Sequence, residues 1–302
     1  MTDAAKHSTL WAMNNQVVFS PSIQEIVSAV ESAVLDAAQY IVQAGRSGDK
    51  LEVNVKADHS LVLNLDIESQ RRILAKLGTS FPVVAEEDES SHKLIESCSS
   101  YFLVDPLDGT TSCKRFLGQQ GGQVGYGPLV GFVKDHQLTV ACFYSVPHQR
   151  LFTAVRGEGC YASDVDFING ALPAERRRLV APPCTSLVEA GVLFLLGHHG
   201  ESRIMQHLKN LNAIENMYRF GGFANDCARL AQGFEQASIQ FSVKPWDLPG
   251  VLLAIEAGLE AWLDPLNRCV PLREWRIESN NPMYIVHPGI RDELFSKLKT
   301  LS

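Results

Sequence analysis

Apolar residues recur three and four positions apart through Ile26, Val30, Val34, Ala38 and Ile41, which predicts one long amphipathic helix over 20–45. Ser20 is placed to cap it, Pro21 suits the first helical position, and Gly45 suits its end. A second helix is predicted from about Asp66 to Leu77, with Ile73, Leu74 and Leu77 facing inward. The period then shortens. Pro82–Ala85 and Tyr101–Val104 are apolar runs that each end in acid, and they read as buried strands with carboxylates at their C-terminal ends. Gln123–Val133 and Leu138–Tyr144 read as a hairpin turning at 134–137, and Leu151–Val155 as a further strand.

Around 169–183 the chain becomes polar, basic and proline-bearing, and it includes Arg176, Arg177 and Arg178. This stretch is the expected boundary between two halves, 1–165 and 166–302, and the arginine run reads as a solvated face. Beyond it the pattern alternates. Strands are predicted at Gly191–Leu196, Ala237–Phe241, Glu260–Leu263 and Met283–Val286. Helices are predicted at Glu201–Leu211, Ala224–Gly233, Asp247–Ala257 and Arg291–Leu298. Such alternation implies layered α/β packing. The first half reads as α+β, two helices against a largely antiparallel sheet.

Composition narrows the function. A chain of 302 residues with 45% hydrophobic and 20% charged residues can bury a sizeable core. Lys plus Arg number 27 against 34 Asp plus Glu, a net charge of −7, which disfavours a nucleic-acid polymer as partner. A small phosphorylated ligand stays compatible, because a local site or a bound metal reverses the sign. No run of 18 apolar residues exists, so no membrane span is expected. Met1–Asn15 lacks a basic-then-apolar signal pattern. The seven cysteines form no C-x-x-C pair, which argues against a zinc site or a disulfide framework and for a cytoplasmic location.

The densest chemistry lies in Val104-Asp105-Pro106-Leu107-Asp108-Gly109-Thr110-Thr111. A strand ends in an acid, a proline forces a turn, a second acid follows, and Gly-Thr-Thr can open a helix whose free amides suit an anion. Acids for a cation beside amides for a phosphate make a small metal–phosphate site; an Asp-Gly turn with a threonine cap is the plainer alternative. Glu86 follows a buried strand directly and can point into a site, ahead of Glu87, Asp88 and Glu89. Asp66 and Asp247 each read either as a helix cap or as a member of a polar cluster. The glycines of 118–131 match no phosphate-binding loop. His198 and His199 read as a surface loop, Cys113 has no neighbour that would lower its pKa, and no serine-hydrolase elbow exists.

The combination resembles the inositol monophosphatase superfamily, which also holds fructose-bisphosphatases, bisphosphate nucleotidases and some histidinol phosphatases. The family's E-E after a strand looks like Glu86-Glu87, and its D-P-[IL]-D-G-T-[TS] looks like Asp105 to Thr111 throughout. Its W-D with a later E-A-G looks like Trp246-Asp247 and Glu256-Ala257-Gly258. A weaker K-x-D-x-S pattern followed by D looks like Lys56, Asp58, Ser60 and Asp66. These matches occur in family order. The resemblance implies an inositol-monophosphatase-like sandwich of alternating α-β-α-β-α layers and a homodimer. It implies two or three Mg2+ ions held by Glu86, Asp105, Asp108, Asp247 and the carbonyl of Leu107. It implies phosphate at Gly109, Thr110 and Thr111, and an attacking water oriented by Thr110 with Asp66, beside Glu86. An all-oxygen ligand set suits Mg2+ rather than zinc on chemical grounds as well.

This chain departs from the family at Leu63, where Thr is usual, and at Pro249-Gly250 and Leu259. The substrate-side G-[ST]-A-A looks like Gly221-Gly222-Phe223-Ala224, so Gly222 and Phe223 fall on the substrate wall. The position that is acidic in inositol-specific members is Gln240. The metal core is intact and the substrate wall has diverged. The expected activity is Mg2+-dependent hydrolysis of a small phosphate monoester of the inositol or sugar class. A 3′,5′-bisphosphate nucleotidase and a histidinol-phosphate phosphatase are the alternatives within the family. A non-catalytic metal- and phosphate-binding protein is the alternative outside it.

Overall fold

The computed structural model describes residues 21–47, 52–55, 61–117, 124–167, 175–195, 217–218, 221–241, 243–263, 267–268 and 283–299. Helix α1 (Ile23–Ser47) buries Ile26, Val30, Val34, Ala38 and Ile41 along one stripe. Its start is set by Ser22. The Glu25 amide donates to Ser22 Oγ at 3.3 Å, and the Ser22 amide donates to the Glu25 carboxylate at 2.7 Å. This reciprocal pair is a capping box. The expected cap, Ser20, lies outside the described residues, and Gly45 does not stop the helix. Strands β1 (Val53–Val55) and β2 (Leu61–Leu63) pair antiparallel and lead into α2 (Asn64–Leu77). Asp66, Ser69, Ile73 and Leu77 form the buried stripe of α2; Leu74, one position off it, is 37% exposed rather than inward.

A sheet of seven strands follows: β3 (Val83–Ala85), β4 (Tyr101–Asp108), β5 (Gly127–Lys134), β6 (Gln137–Ser145), β7 (Arg150–Val155), β8 (Gly159–Asp164) and β9 (Arg177–Leu179), neighbours in that order. Only β3 and β4 are parallel among these pairs. The β5–β6 turn has Asp135 and His136 at φ 49° and 62°, the left-handed pair that a tight hairpin needs. The pattern along the chain did not anticipate β8 and β9. In β9, Arg177 and Arg178 are exposed and Leu179 is buried, so the basic run is the solvated edge of the sheet. That edge lies beyond residue 165, so the first sheet draws on both expected halves.

The second sheet holds β10 (Val192–Leu195), β11 (Met217–Tyr218), β12 (Ala237–Gln240), β13 (Glu260–Leu263), β14 (Asn267–Arg268) and β15 (Met283–Val286), in the order β11-β10-β12-β15-β13-β14. Short helices α3 (Leu94–Ser97) and α4 (Thr110–Phe116) flank β4 in sequence. Between the sheets lie α5 (Phe223–Ala231) and α6 (Leu248–Glu256); α7 (Arg291–Lys299) covers the far face of the second sheet. The expected helix at 201–211 and the His198-His199 pair lie outside the described residues.

Strand alternation divides the first sheet's side chains. Phe102, Val104, Val130 and Phe132 pack with α1 and α2, whereas Leu103, Leu129 and Phe143 pack with α5 and α6. The result is the α-β-α-β-α order of layers. Two departures from the family pattern serve the middle layer. Pro249 sits in the first turn of α6, where it costs no hydrogen bond, and a Cβ on Gly131 of β5 would come within 2.5 Å of its ring. Gly250 faces α5, where a Cβ would stand 3.2 Å from Ala224 Cα. Glu256 closes the other end of α6 by accepting the amides of Gly157 and Gly159 at 3.0 and 3.1 Å.

Candidate active site

Pro106 has no amide to give the β4–β5 ladder, and the pairing shifts register between Asp105 and Asp108. The Leu107 amide turns back to Asp105 Oδ1 at 2.9 Å. Both acids therefore end at the same place, 3% and 4% exposed. Asp247 reaches them from a 3-10 turn, Pro245–Asp247, that leads into α6. One carboxylate oxygen from each of Asp105, Asp108 and Asp247 lies within 4.8 Å of the others.

These groups repel. Burial, then Glu86, then Asp108 and Asp247 push the Asp105 carboxyl well above its ordinary range. Burial above all, followed among the charges by Asp108 and Glu86, raises Asp247. Burial and Asp226 lift Asp108 to about 7, against the pull of amides at the start of α5. Three acids, two buried and one half-buried, that cannot all be ionised alone could hold a divalent cation, and their oxygen donors fit a hard ion.

Beside the cluster stands a second pair. Thr110 Oγ donates to Asp66 Oδ1 at 3.0 Å and is also 3.2 Å from the Leu107 carbonyl. Asp66 is fully buried and takes the Leu63 amide at 2.8 Å on its other oxygen. Asp66 is thus both a cap and a cluster member. The bond uses the backbone of residue 63, so Leu63 in place of the family's Thr leaves it intact. Burial, with Glu86 and Glu87, pushes Asp66 up to about 8.

The remaining expected residues fall nearby with different roles. The Glu86 amide donates to the Val104 carbonyl at 3.0 Å, which sets the acidic turn at the end of β4. Gly109 takes φ 80°, a left-handed bend, and Thr110 and Thr111 open α4 behind it. Asp108 accepts the Phe223 and Ala224 amides at 2.8 and 3.0 Å. A Cβ on Gly222 would stand 2.0 Å from Asp108 Oδ2, so this grip requires glycine where the family has Ser or Thr. Phe223 is buried, 4% exposed. Gln240 is fully buried behind the wall, with its amide bonded to Asp226 Oδ2 at 3.0 Å and to Ser238 Oγ. Lys56, Asp58 and Ser60 lie outside the described residues. Burial and Asp66 raise the Cys113 thiol, which removes it as a nucleophile.

Sequence reasoning missed Asp226 and Ser91. Asp226 is an acid inside an otherwise apolar helix face, a signal that was available. Ser91 Oγ takes the Ala85 amide at 3.1 Å, a contact across a turn that spacing does not announce.

The sequence model of the inositol monophosphatase family matches residues 22–270, and the chain belongs to that family, a family of phosphatases. It is 26% identical over 237 residues to the Nus factor SuhB of Vibrio cholerae, covering 75% of this chain and 80% of that one. It is 26% identical over 246 residues to the fructose-1,6-bisphosphatase/inositol-1-monophosphatase of Aquifex aeolicus, covering 78% and 85%. A solved IMPase/NADP phosphatase complexed with Mg2+ and phosphate superposes with a TM-score of 0.70 at 21% identity, over 92% of this chain and 97% of that one. Among the described residues, no helix is long and apolar enough to cross a membrane.

Proposed function

We propose that the protein hydrolyses a small phosphate monoester of the inositol or sugar class, with Mg2+ as its cofactor. The observation that carries this reading is the meeting of Asp105, Asp108 and Asp247 within 4.8 Å, next to the Thr110–Asp66 pair. Asp105, Asp108 and Asp247, with Glu86 and the Leu107 carbonyl, would hold the metal. When bound, the metal supplies an acidified water and neutralises charge on the phosphate and the leaving oxygen. Thr110 donates its hydroxyl hydrogen bond to Asp66, which would leave its lone pairs to accept from a water and fix that water's line of attack. The amides of Gly109, Thr110 and Thr111 lie where a helix begins and are assigned to phosphate oxygens. Phe223, whose amide Asp108 accepts, and Gly222, packed against Asp108, would bound the substrate side, and Gln240 would support that wall from behind.

The test is phosphate release from a panel of monoesters, with and without Mg2+. The panel includes inositol and sugar phosphates, a 3′,5′-bisphosphate nucleotide, NADP and histidinol phosphate. Turnover that needs Mg2+ supports the reading. Mg2+ binding without turnover on any member overturns it in favour of a binding protein.

A further inference from the structure

The acidic turn after β3 and the turn before α6 meet through His92. Strand β3 is the edge of its sheet, so the outer backbone groups of Ala85 have no neighbouring strand. Groups of the turn that follows satisfy them instead, and the Asp88 amide donates to the Ala85 carbonyl at 3.2 Å. Ser91 Oγ takes the Ala85 amide, and His92 Nε2 lies 3.0 Å from the Ala85 carbonyl. A carbonyl only accepts, so Nε2 carries the proton, and the bond is available to both the neutral and the charged ring. The same ring stacks on Trp246, with centroids 4.6 Å apart at 31°. Ala85 precedes Glu86 and Trp246 precedes Asp247. One planar ring thus touches the residue before each of two acids that arrive on separate elements.

Those acids repel each other, since Glu86 raises both Asp247 and Asp105. Among the described residues no backbone hydrogen bond joins the β3 turn to the α6 turn, so repulsion would let them separate before a cation arrives. We propose that His92 is a positioning residue that holds the turn carrying Glu86 against the turn carrying Asp247 and so raises the protein's affinity for its divalent metal. The inference rests on the phosphatase reading only in taking Mg2+ as that metal. The side chain touches neither metal nor substrate, so its loss should act on metal affinity and spare the chemical step.

The experiment compares His92→Ala with His92→Gln, which keeps an N–H donor, and His92→Phe, which keeps a stacking ring. Two curves are measured: the rise in melting temperature with Mg2+ alone, and phosphate release against Mg2+. His92→Ala should need about tenfold more Mg2+ in both, as expected for losing one hydrogen bond and one ring contact. Its kcat at saturating Mg2+ and its KM for substrate should stay within about twofold. His92→Gln and His92→Phe should each recover part of the affinity. If wild type responds to Mg2+ and His92→Ala responds at the same concentrations, the positioning role is wrong. A fall in kcat at saturating Mg2+ overturns it as well. If His92→Ala does not fold, unchanged Mg2+ curves in both other variants overturn it. A wild type whose melting temperature and turnover ignore Mg2+ overturns the phosphatase reading itself.

Discussion

Asp66 and Asp247 are built by the same local device. Each accepts the amide three residues before it, Leu63 to Asp66 at 2.8 Å and Lys244 to Asp247 at 2.7 Å, and each stands at the opening of a helical segment. From the chain alone both read equally well as caps. Their tertiary neighbours divide them. The free oxygen of Asp66 receives a hydroxyl, so the group is satisfied as it stands. Asp247 meets two further carboxylates, and the Lys244 amide and charge offset only part of a strain that a cation would relieve. A cap fixes where an acid points, and what it points at decides whether it orients a water or holds a metal.

The largest effect expected is that of Asp105→Asn. It lies in the centre of the cluster, and cation stabilisation of a transition state is worth several kcal/mol, so turnover should fall about a thousandfold or more. Removing a charge that is buried among like charges should also raise the melting temperature of the metal-free protein by about 2–4 °C. Lower stability without metal, with activity retained, would contradict the site.

Asp66 and Asp247 should then part. Asp247→Asn should lose the Mg2+-induced rise in melting temperature. Asp66→Asn should keep that rise and lose kcat, by roughly a hundred- to ten-thousandfold, as for a group that positions a proton acceptor. Thr110→Ala should match Asp66→Asn, and the double variant should be little worse than either single one, because the two act as a unit. Additive losses would separate them.

The pH response comes next in size. Asp66 and Asp108 titrate at about 8 and about 7 when folded, against 3.8 ordinarily. The native state therefore binds more protons than the unfolded chain between about pH 4 and 8. Their contribution to the stability of the metal-free protein is full below about pH 4, falls as pH rises from there, and is lost above about 8. Mg2+ binds the ionised acids and should flatten that decline. Melting curves from pH 5 to 9, with and without Mg2+, check both signs.

Glu256→Gln should be the mildest change. It weakens the hold on the Gly157 and Gly159 amides by about 1–2 kcal/mol and leaves Mg2+ affinity alone. A shift in the Mg2+ curve would show that the far end of α6 reaches the site.

The meeting of Asp105 and Asp108 was legible because turn chemistry and short spacing place them locally. The layers were legible because strand alternation and helical stripes survive in the order of residues. Leu74 was misread because its neighbours allow two overlapping stripes, and only the packed face selects Asp66, Ser69, Ile73 and Leu77. Strand β9 was hidden because two exposed arginines and one buried leucine make no apolar run. Gln240, Ser91 and His92 act across turns and elements, and no local pattern reports such contacts, whereas Asp226 left a signal, an acid on an apolar helix face, that did not name its partner. Gly222 shows the same limit, since its smallness answers to Asp108, which lies far away in sequence.

The most direct test of the acid cluster is the melting temperature of wild type and Asp105→Asn, each with and without millimolar Mg2+ and no substrate. Wild type should rise with Mg2+, as a ligand that binds only the folded state requires. Asp105→Asn should start higher and stay where it is. A wild type that does not move, or an Asp105→Asn protein that rises by the same amount at the same concentrations, would contradict a metal site built on Asp105, Asp108 and Asp247.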